Sequence, residues 1–276
     1  MLKEFRENLI SQQRSKNTIQ AYLKAAEQYL RWYKESFLSE FVLFLPNNIA
    51  EFVSYLSNIR KLDAGSINLK LCGLRQFEKF LIQKGIQSEL VISDSYNKKI
   101  QTPYINPCKT TQKEVDAFRQ QILLHNGNRD FAIATIMAYA GLRVSEVTHL
   151  LLTDINLTTR EILVIGKGDK KRVVDIGDKV VHAVRQYLKE RQDICDYLFI
   201  SRRKGKLDRS SINRIFSKYS EKITPHELRH FFCSNALEKG YSLIEVAYQA
   251  GHSSIQTTQR YTNPDKRKMQ EKANLL

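Results

Sequence analysis

The chain has 276 residues, 42% of them hydrophobic, which is enough to bury one large core or two of ordinary size and excludes a disordered chain. It carries 44 Lys and Arg against 29 Asp and Glu, and the resulting net charge of +15 favours a polyanion such as nucleic acid as partner. No stretch has the apolar length of a signal peptide or a membrane span, and four scattered cysteines suit reduced thiols, so we expect a cytoplasmic protein with no membrane partner.

Helical periodicity dominates residues 1–97. Asn17 is predicted to cap a first long helix, whose apolar residues follow at helical spacing. A second apolar run covers residues 49–56, and a third begins at Ser66 and ends before Gly85. These runs predict a helical first domain, and the simplest interpretation of their many aromatic residues is core packing.

Residues 98–111 interrupt the helical pattern. The stretch contains two prolines, three lysines and no acidic residue, which predicts an extended basic linker between two domains. Lys and Arg outnumber Asp and Glu by 13 to 10 before this linker, by 3 to 0 within it and by 28 to 19 after it. Positive charge is thus spread along the whole chain, as suits a protein that surrounds a DNA duplex.

Residues 112–276 are predicted to form a second, mostly helical domain. Two β-branched segments, at 161–166 and 172–176, flank a turn and predict an antiparallel hairpin with Lys167 near its tip. The fold class is therefore mainly α in two domains, with a small antiparallel β-sheet in the second. The later helices are expected at about 178–191, 210–219, 226–238, 242–250, 255–260 and 264–274.

Two short segments near the C-terminus carry side chains that could act on a phosphodiester. In Thr-Pro-His-Glu-Leu-Arg-His, His226 and Arg229 are three residues apart at a helix start, where free backbone amides and the helix dipole favour an anion. In the segment 250–261, His252 lies in a turn, and the short helix after it ends at Tyr261. A nucleophilic tyrosine needs a nearby base and positive charge, since the ordinary phenol pKa is about 10.

An upstream arginine can join this group. Arg143 follows Gly141, a predicted helix stop, and Glu146 is placed three residues on where it can orient the guanidinium. Together with Arg229 it could clamp the non-bridging oxygens of a phosphate through paired hydrogen bonds.

These motifs resemble the catalytic signature of the tyrosine recombinases of the phage integrase and Xer-like family. That signature combines an Arg in a Gly-Leu-Arg-x-Ser-Glu-like segment, a hairpin Lys, His-x-x-Arg, a Gly-His turn and a Tyr nine residues later. The matching residues are Arg143, Lys167, His226, Arg229, His252 and Tyr261. The resemblance covers almost the whole chain, because residues 1–97 are also similar to the family's SAM-like, helical core DNA-binding domain.

The resemblance implies a transesterification on double-stranded DNA. Tyr261 would form a 3′-phosphotyrosyl link, with His226 as base and Lys167 as acid, although Lys170 and Lys171 compete for the acid role. Arg143, Arg229 and His252 would stabilise the charge of the transition state. No cofactor or metal would be needed, and the working form would be a tetramer on two duplexes. The C-terminal helix would pack on a neighbouring protomer or on its own domain.

Other interpretations remain open at this level. The residues from His226 to His230 also spell His-Glu-x-x-His, the zinc motif of metalloproteases with Glu227 as base. A catalytically silent DNA-binding regulator on the same fold is a further alternative, and the choice between integrase and resolvase is open. Base contacts could come from the third helix, around Asn68 and Arg75, or from residues 202–211.

Overall fold

The computed structural model describes residues 1–100, 110–166, 169–192, 195–201, 204–252 and 257–258. The chain divides between residues 102 and 103 into two compact units. The predicted boundaries of the domains, with a linker at 98–111, stay a prediction, since residues 101–109 of that linker lie outside the described residues.

The first unit is a helical bundle. Its helices are α1 (Leu2–Ser11), α2 (Lys16–Phe37), α3 (Pro46–Ser54), which continues as one π-helical turn (Tyr55–Ile59), and α4 (Ala64–Gln83). Its core is aromatic: Tyr29, Phe44, Phe52 and Phe77 are fully buried, and the ring of Tyr29 lies 5.0 Å from the rings of both Phe44 and Phe52. The expectation that the aromatic residues serve as core is therefore confirmed.

Two predicted helix starts in this unit are wrong. Helix α2 is capped by Ser15, whose hydroxyl accepts a hydrogen bond from the amide of Thr18, so Asn17 lies inside the first turn. Helix α4 is capped by Asp63, whose carboxylate accepts the amide of Ser66 at 2.9 Å. In both cases a short polar side chain slightly upstream reaches a free backbone amide of the first turn.

The second unit surrounds one largely buried helix. Its elements are α5 (Gln112–Asn126), α6 (Asn128–Tyr139), α7 (Val144–Val147), β1 (Ile155–Asn156), β2 (Glu161–Ile165), β3 (Lys171–Asp175), α8 (Asp178–Glu190), α9 (Arg209–Tyr219), α10 (Pro225–Glu238) and α11 (Leu243–Ala250). Helix α6 is buried on every side because α5, α8 and α10 all pack on it. This explains why its sequence, apolar almost throughout, shows little helical periodicity.

The predicted β-hairpin is confirmed and lies in an antiparallel sheet of order β1-β2-β3, in which Ile165 pairs with Lys171. Lys167, which was predicted to lie near the tip of the hairpin, lies outside the described residues. The predicted helix at 264–274 also lies outside them, and of the one predicted at 255–260 only residues 257–258 are described, as helical.

Two general features complete the description. Within the described ranges, no helix combines the length and apolar character needed to cross a bilayer. The described cysteines, Cys72, Cys195 and Cys233, are all free thiols.

Candidate active site

Arg143 projects from the turn between α6 and α7. Its own backbone amide donates to Glu146 Oε2 at 2.8 Å, and its Nη1 donates to Glu146 Oε1 at 2.9 Å, so Glu146 orients it as the spacing predicted. Its Nη2 donates to the carbonyl of Gly251, 108 residues later, at 2.6 Å. The side chain is still 40% exposed, which leaves part of the guanidinium accessible to a ligand.

Gly141 makes this turn possible. Its φ of +67° is in the left-handed region, and a Cβ at this position would lie 2.3 Å from Cδ1 of Phe232 on α10. Any side chain would therefore push α10 away from the segment that carries Arg143.

Arg229 is the most deeply buried of the predicted site residues that the structure describes, with 5% of the residue exposed. It lies on α10, which begins at Pro225 behind the cap Thr224, whose hydroxyl accepts the amide of Glu227 at 3.1 Å. Arg229 donates to the carbonyl of Gly141 at 2.6 Å and to that of Ala250. Burial, followed by the charge of Arg143, lowers the pKa of Arg229 to about 10, so it remains a cation at neutral pH.

His252 follows the last residues of α11. Gly251 ends the helix in the left-handed conformation, at φ +64° and ψ +49°, and turns the chain back toward the arginines. Nδ1 of His252 lies 2.8 Å from the hydroxyl of the buried Thr258, which fixes the orientation of the ring. Burial, then the charges of Arg229 and Arg143, lowers the pKa of His252 to about 4, so the ring is neutral at pH 7.

Four of the six predicted catalytic residues line one cleft of about 920 Å³: Arg143, His226, Arg229 and His252. They come from three separate parts of the second unit. Arg209 and Arg214 of α9 line the same cleft and add positive charge to its wall. The other two predicted residues, Lys167 and Tyr261, lie outside the described residues.

His226 stands at the start of α10, within the cleft. Burial and then the positive charge of Arg229 lower its pKa below the ordinary histidine value, so the neutral base form is favoured at pH 7. Its Nε2 lies 2.7 Å from Nε2 of His230, one helical turn on. Helical spacing alone places His230 one turn from His226 and so indicates it as a neighbour of the site.

The two histidines of the His-Glu-x-x-His motif lie within hydrogen-bonding distance of each other. Two nitrogens bound to one tetrahedral zinc at 2.0–2.1 Å stand about 3.3 Å apart, whereas the two histidines are at hydrogen-bonding distance. Glu227 accepts a hydrogen bond from the hydroxyl of Thr110 at 2.8 Å. Among the described residues, no group of three or more His, Cys, Asp and Glu side chains is arranged to hold a metal ion.

Arg172 is a residue of the site that no sequence pattern indicated. This residue lies between Lys171 and Val173 on β3 and carries no motif, yet its side chain is 9% exposed and forms two hydrogen bonds with the carboxylate of Glu146. Burial acts to raise the pKa of Glu146, but the hydrogen bonds and charge of Arg172, then Arg143, bring it below its ordinary value. Glu146 is therefore an anion held between two arginines.

Two proposed base-contacting side chains in α4 are already engaged within the first unit. Arg75 donates to the carbonyls of Ile92 and Ser93 and, at 2.7 Å, to Oδ1 of Asn97. Asn68 forms hydrogen bonds with both the carbonyl and the amide of Lys98. These contacts hold the segment after α4 against the helix, a structural role that the sequence pattern did not indicate.

Comparison with known proteins covers both units. The profile of the phage integrase family matches residues 109–268, and that of the phage integrase N-terminal SAM-like domain matches residues 1–87. The TnP I resolvase of Bacillus thuringiensis is 44% identical over 99% of both chains. The tyrosine recombinase XerA of Pyrococcus horikoshii is 30% identical, over 98% of this chain and 91% of its own.

A solved structure agrees with the fold. The XerH site-specific recombinase bound to difH substrate, in a pre-cleavage complex, superposes with a TM-score of 0.71 at 22% identity, over 92% of this chain and 78% of its own. At this identity the likeness concerns the fold alone. It confirms the predicted fold class of a SAM-like helical domain followed by a mostly helical catalytic domain with a small sheet.

Proposed function

Because the chain belongs to the phage integrase family and is a tyrosine recombinase, an enzyme that cleaves and rejoins DNA at specific sites, we propose that Tyr261 is its nucleophile. Five further residues complete the proposed active site: Arg143, Lys167, His226, Arg229 and His252. Neither a silent regulator nor a zinc protease is favoured by the two relatives named above or by the described residues of the second unit.

One observation carries the assignment. Arg143, His226, Arg229 and His252 are separated by up to 109 residues in the chain, yet all four line a single cleft. Two arginines and two neutral histidines give that cleft a net positive charge and both donors and bases, which are what a phosphodiester undergoing substitution requires.

The proposed reaction is an exchange of esters. The phenolic oxygen of Tyr261 attacks the phosphorus while its proton passes to His226, whose lowered pKa keeps it available as a base at neutral pH. The bond between phosphorus and the 5′ oxygen breaks, and Lys167 protonates that oxygen. The products are a 3′-phosphotyrosyl link and a free 5′ hydroxyl, which attacks the corresponding link on a partner strand. One ester replaces another at each step, so no high-energy cofactor enters.

The arginines and His252 act on the phosphate oxygens. The geometry supports this role for Arg143 and Arg229 because carbonyls of the protein hold each guanidinium in place before substrate binds. His252 is neutral at pH 7 and would serve as a hydrogen-bonding group, since its pKa of about 4 does not favour the cationic form.

Assembly and biological setting form the outer part of the proposal. Strand exchange joins two duplexes with four cleavage events, so we infer a tetramer on DNA, acting in the cytoplasm. The TnP I resolvase is 44% identical over nearly the full length of both chains, which favours resolution of recombined DNA over a large integration assembly.

The test is a covalent trap. In a duplex with a nick close to the cleavage position, attack releases the short fragment that carries the new 5′ hydroxyl, so religation is prevented and the protein remains joined to the DNA. We expect the wild-type protein to form an adduct that survives denaturation, and Tyr261→Phe to form none while it binds DNA with an affinity within about threefold. Tyr248→Phe, at an exposed position of α11, is the matched control and should form the adduct at the wild-type rate.

Two results would contradict this assignment. An adduct formed by Tyr261→Phe would place the nucleophile elsewhere. The proposed reaction would itself be refuted if the wild-type protein bound DNA normally but formed no adduct at any nick position tested along the duplex.

A further inference from the structure

The C-terminal end of α11 holds three arginines through three consecutive carbonyls. The carbonyl of Gln249 accepts from Nε of Arg172 at 3.1 Å, that of Ala250 from Arg229, and that of Gly251 from Arg143 at 2.6 Å. These carbonyls belong to the last turn of the helix, where they lack partners within it and where the helix dipole is negative. Two of the three arginines line the cleft, and the third, Arg172, does not.

Arg172 is joined to the cleft through Glu146. Its Nη1 and Nη2 donate to Oε1 and Oε2 of Glu146 at 2.9 and 3.0 Å, so it occupies both oxygens of the carboxylate. Arg143 shares the same Oε1 with a single N–H at 2.9 Å. The side chain of Arg143 therefore forms one hydrogen bond with Glu146, whereas the side chain of Arg172 forms a bidentate pair with it.

Removal of Arg172 would change what Arg143 presents to a phosphate. The Glu146 side chain is 4% exposed, and a buried carboxylate needs a partner for both oxygens. With Arg172 absent, the backbone amide and Nη1 of Arg143 would remain as donors to Oε2 and Oε1, and the guanidinium of Arg143 would have to balance the buried carboxylate without its second cation. Arg143, Arg172 and Glu146 together carry a charge of +1, and without Arg172 the remaining pair is neutral.

The packing around Arg172 leaves little freedom for another arrangement. A Cβ built on Gly251 would lie 2.7 Å from both Cζ and Nη1 of Arg172, so the guanidinium lies directly against the backbone that ends α11. Gln249 adds a second link to β3, since its Oε1 accepts the amide of Asp175 at 3.2 Å. Strand β3 and the end of α11 thus form one unit around Arg172.

We propose that Arg172 is a positioning residue of the recombination reaction: by neutralising Glu146 and binding the end of α11, it leaves the charge of Arg143 directed at the scissile phosphate. This inference rests on the proposed function, because it assumes that Arg143 acts on that phosphate. Arg172 would act through Glu146 and the end of α11, since it is not among the residues that line the cleft.

The experiment measures two quantities for each variant. One is the single-turnover rate of adduct formation on the nicked duplex at saturating protein, and the other is the Kd for an intact duplex. The variants are Arg172→Gln, Arg172→Lys, Glu146→Gln and the double variant with Gln at both positions. Arg160→Gln is the matched control, since it removes one charge from an exposed ion pair with Asp178 outside the site.

We expect Arg172→Gln to slow adduct formation about 30-fold while the Kd changes less than about threefold. Arg172→Lys should recover much of the rate, to within about fivefold of wild type, because it restores the charge but not the fork of two bonds. In the Glu146→Gln background the further change to Gln at 172 should cost less than about threefold, since no buried anion is left to draw Arg143 away. The control should stay within about twofold of wild type.

Several outcomes would overturn the inference. One is an equal loss from Arg172→Gln in both backgrounds, as expected if Arg172 only supports the fold. Another is a rate for Arg172→Gln that matches the Arg160→Gln control. Failure of both Arg172 variants to show a cooperative melting transition would also make Arg172 a purely structural residue.

The proposed function fails by a different result. An adduct retained by Tyr261→Phe would refute Tyr261 as the nucleophile. The role of Arg172 would still be tested by the rates of adduct formation of its own variants. If the wild-type protein forms the adduct and Arg172→Gln forms it as fast as Arg160→Gln, the positioning role of Arg172 is refuted while the proposed function stands.

Discussion

At the residue scale, the site combines buried cations with neutral histidines. Arg229 keeps its charge despite burial because an arginine pKa of about 10 is still well above neutrality. The same burial, with the charges of the arginines, makes His252 a neutral ring. A phosphate that enters the cleft would therefore meet the fixed positive charge of the arginines together with neutral imidazole rings.

This burial predicts how stability depends on pH. The pKa of His252 is about 4 in the folded protein and about 6.5 in the unfolded chain, so between these values the unfolded state binds more protons. The contribution of the neutral His252 ring to the free energy of unfolding is fully present above pH 6.5 and is lost as pH falls toward 4. Between pH 7.5 and 5.0 we expect wild type to lose about 1 kcal/mol more free energy of unfolding than His252→Gln, after allowance for partial exposure of the ring. This difference corresponds to an additional fall in Tm of about a few degrees.

Thermal melts of both proteins at the two pH values check this prediction. His226 and His230 also have lowered pKa values and contribute in both proteins, so the difference between the proteins isolates His252. Equal losses of Tm would show that His252 is not held neutral by the folded state.

At the element scale, two helix ends of opposite polarity frame the cleft. Helix α10 starts at it, with Pro225 and His226 in the first turn, and its positive dipole end favours an anion. Helix α11 ends beside it, and the carbonyls of that end hold the guanidiniums of Arg143 and Arg229. The substrate anion and the protein cations are thus each matched to a helix terminus of the opposite charge.

The junction of α10 with the Arg143 segment predicts the effect of one methyl group. Gly141→Ala adds a Cβ at 2.3 Å from Phe232 at a positive φ, and we expect it to destabilise the protein by about 3 kcal/mol. Gly240→Ala is the matched control, since Gly240 has a φ of +97° but no atom within 4 Å of the added Cβ, and it should cost about 1 kcal/mol.

Denaturant unfolding measures both values. We also expect Gly141→Ala, where it folds, to form the covalent adduct more slowly, because the carbonyl of Gly141 holds Arg229. Equal destabilisation by the two substitutions would mean that Phe232 moves without cost.

At the scale of the whole molecule, charge and fold both fit DNA as the partner. The net charge of +15 is spread over both units, and two relatives that match nearly the full length of the chain are a resolvase and a tyrosine recombinase. A protein that touches many phosphates displaces counterions, so its affinity falls steeply with salt whatever sequence it recognises.

We therefore predict that log Kd for a specific duplex rises by about 5 or more per tenfold increase in salt, about 0.9 for each phosphate contact. Arg209→Gln removes one cation from the cleft wall and should reduce this slope by about 0.9. Titrations between 50 and 300 mM salt, about the range in which binding is measurable, provide the test. A slope near zero would exclude an interface built on phosphate contacts.

The sequence by itself determined the fold class, the β-hairpin, the aromatic core of the first unit and the family. These features depend on local periodicity and on short motifs, which are properties of neighbouring residues. It also placed Glu146 beside Arg143, because three residues span one helical turn. The helix starts at Ser15 and Asp63 were missed by two or three residues, since several polar side chains nearby could have served as caps.

Only the tertiary structure decided how the site is held. Arg172 meets Glu146 across 26 residues, and Arg143 meets Gly251 across 108, because β3 and the end of α11 pack together. It also decided that Arg75 serves the first unit and that His252 is buried enough to stay neutral. Such pairings depend on which elements become neighbours in space, and no periodicity or motif along the chain records that.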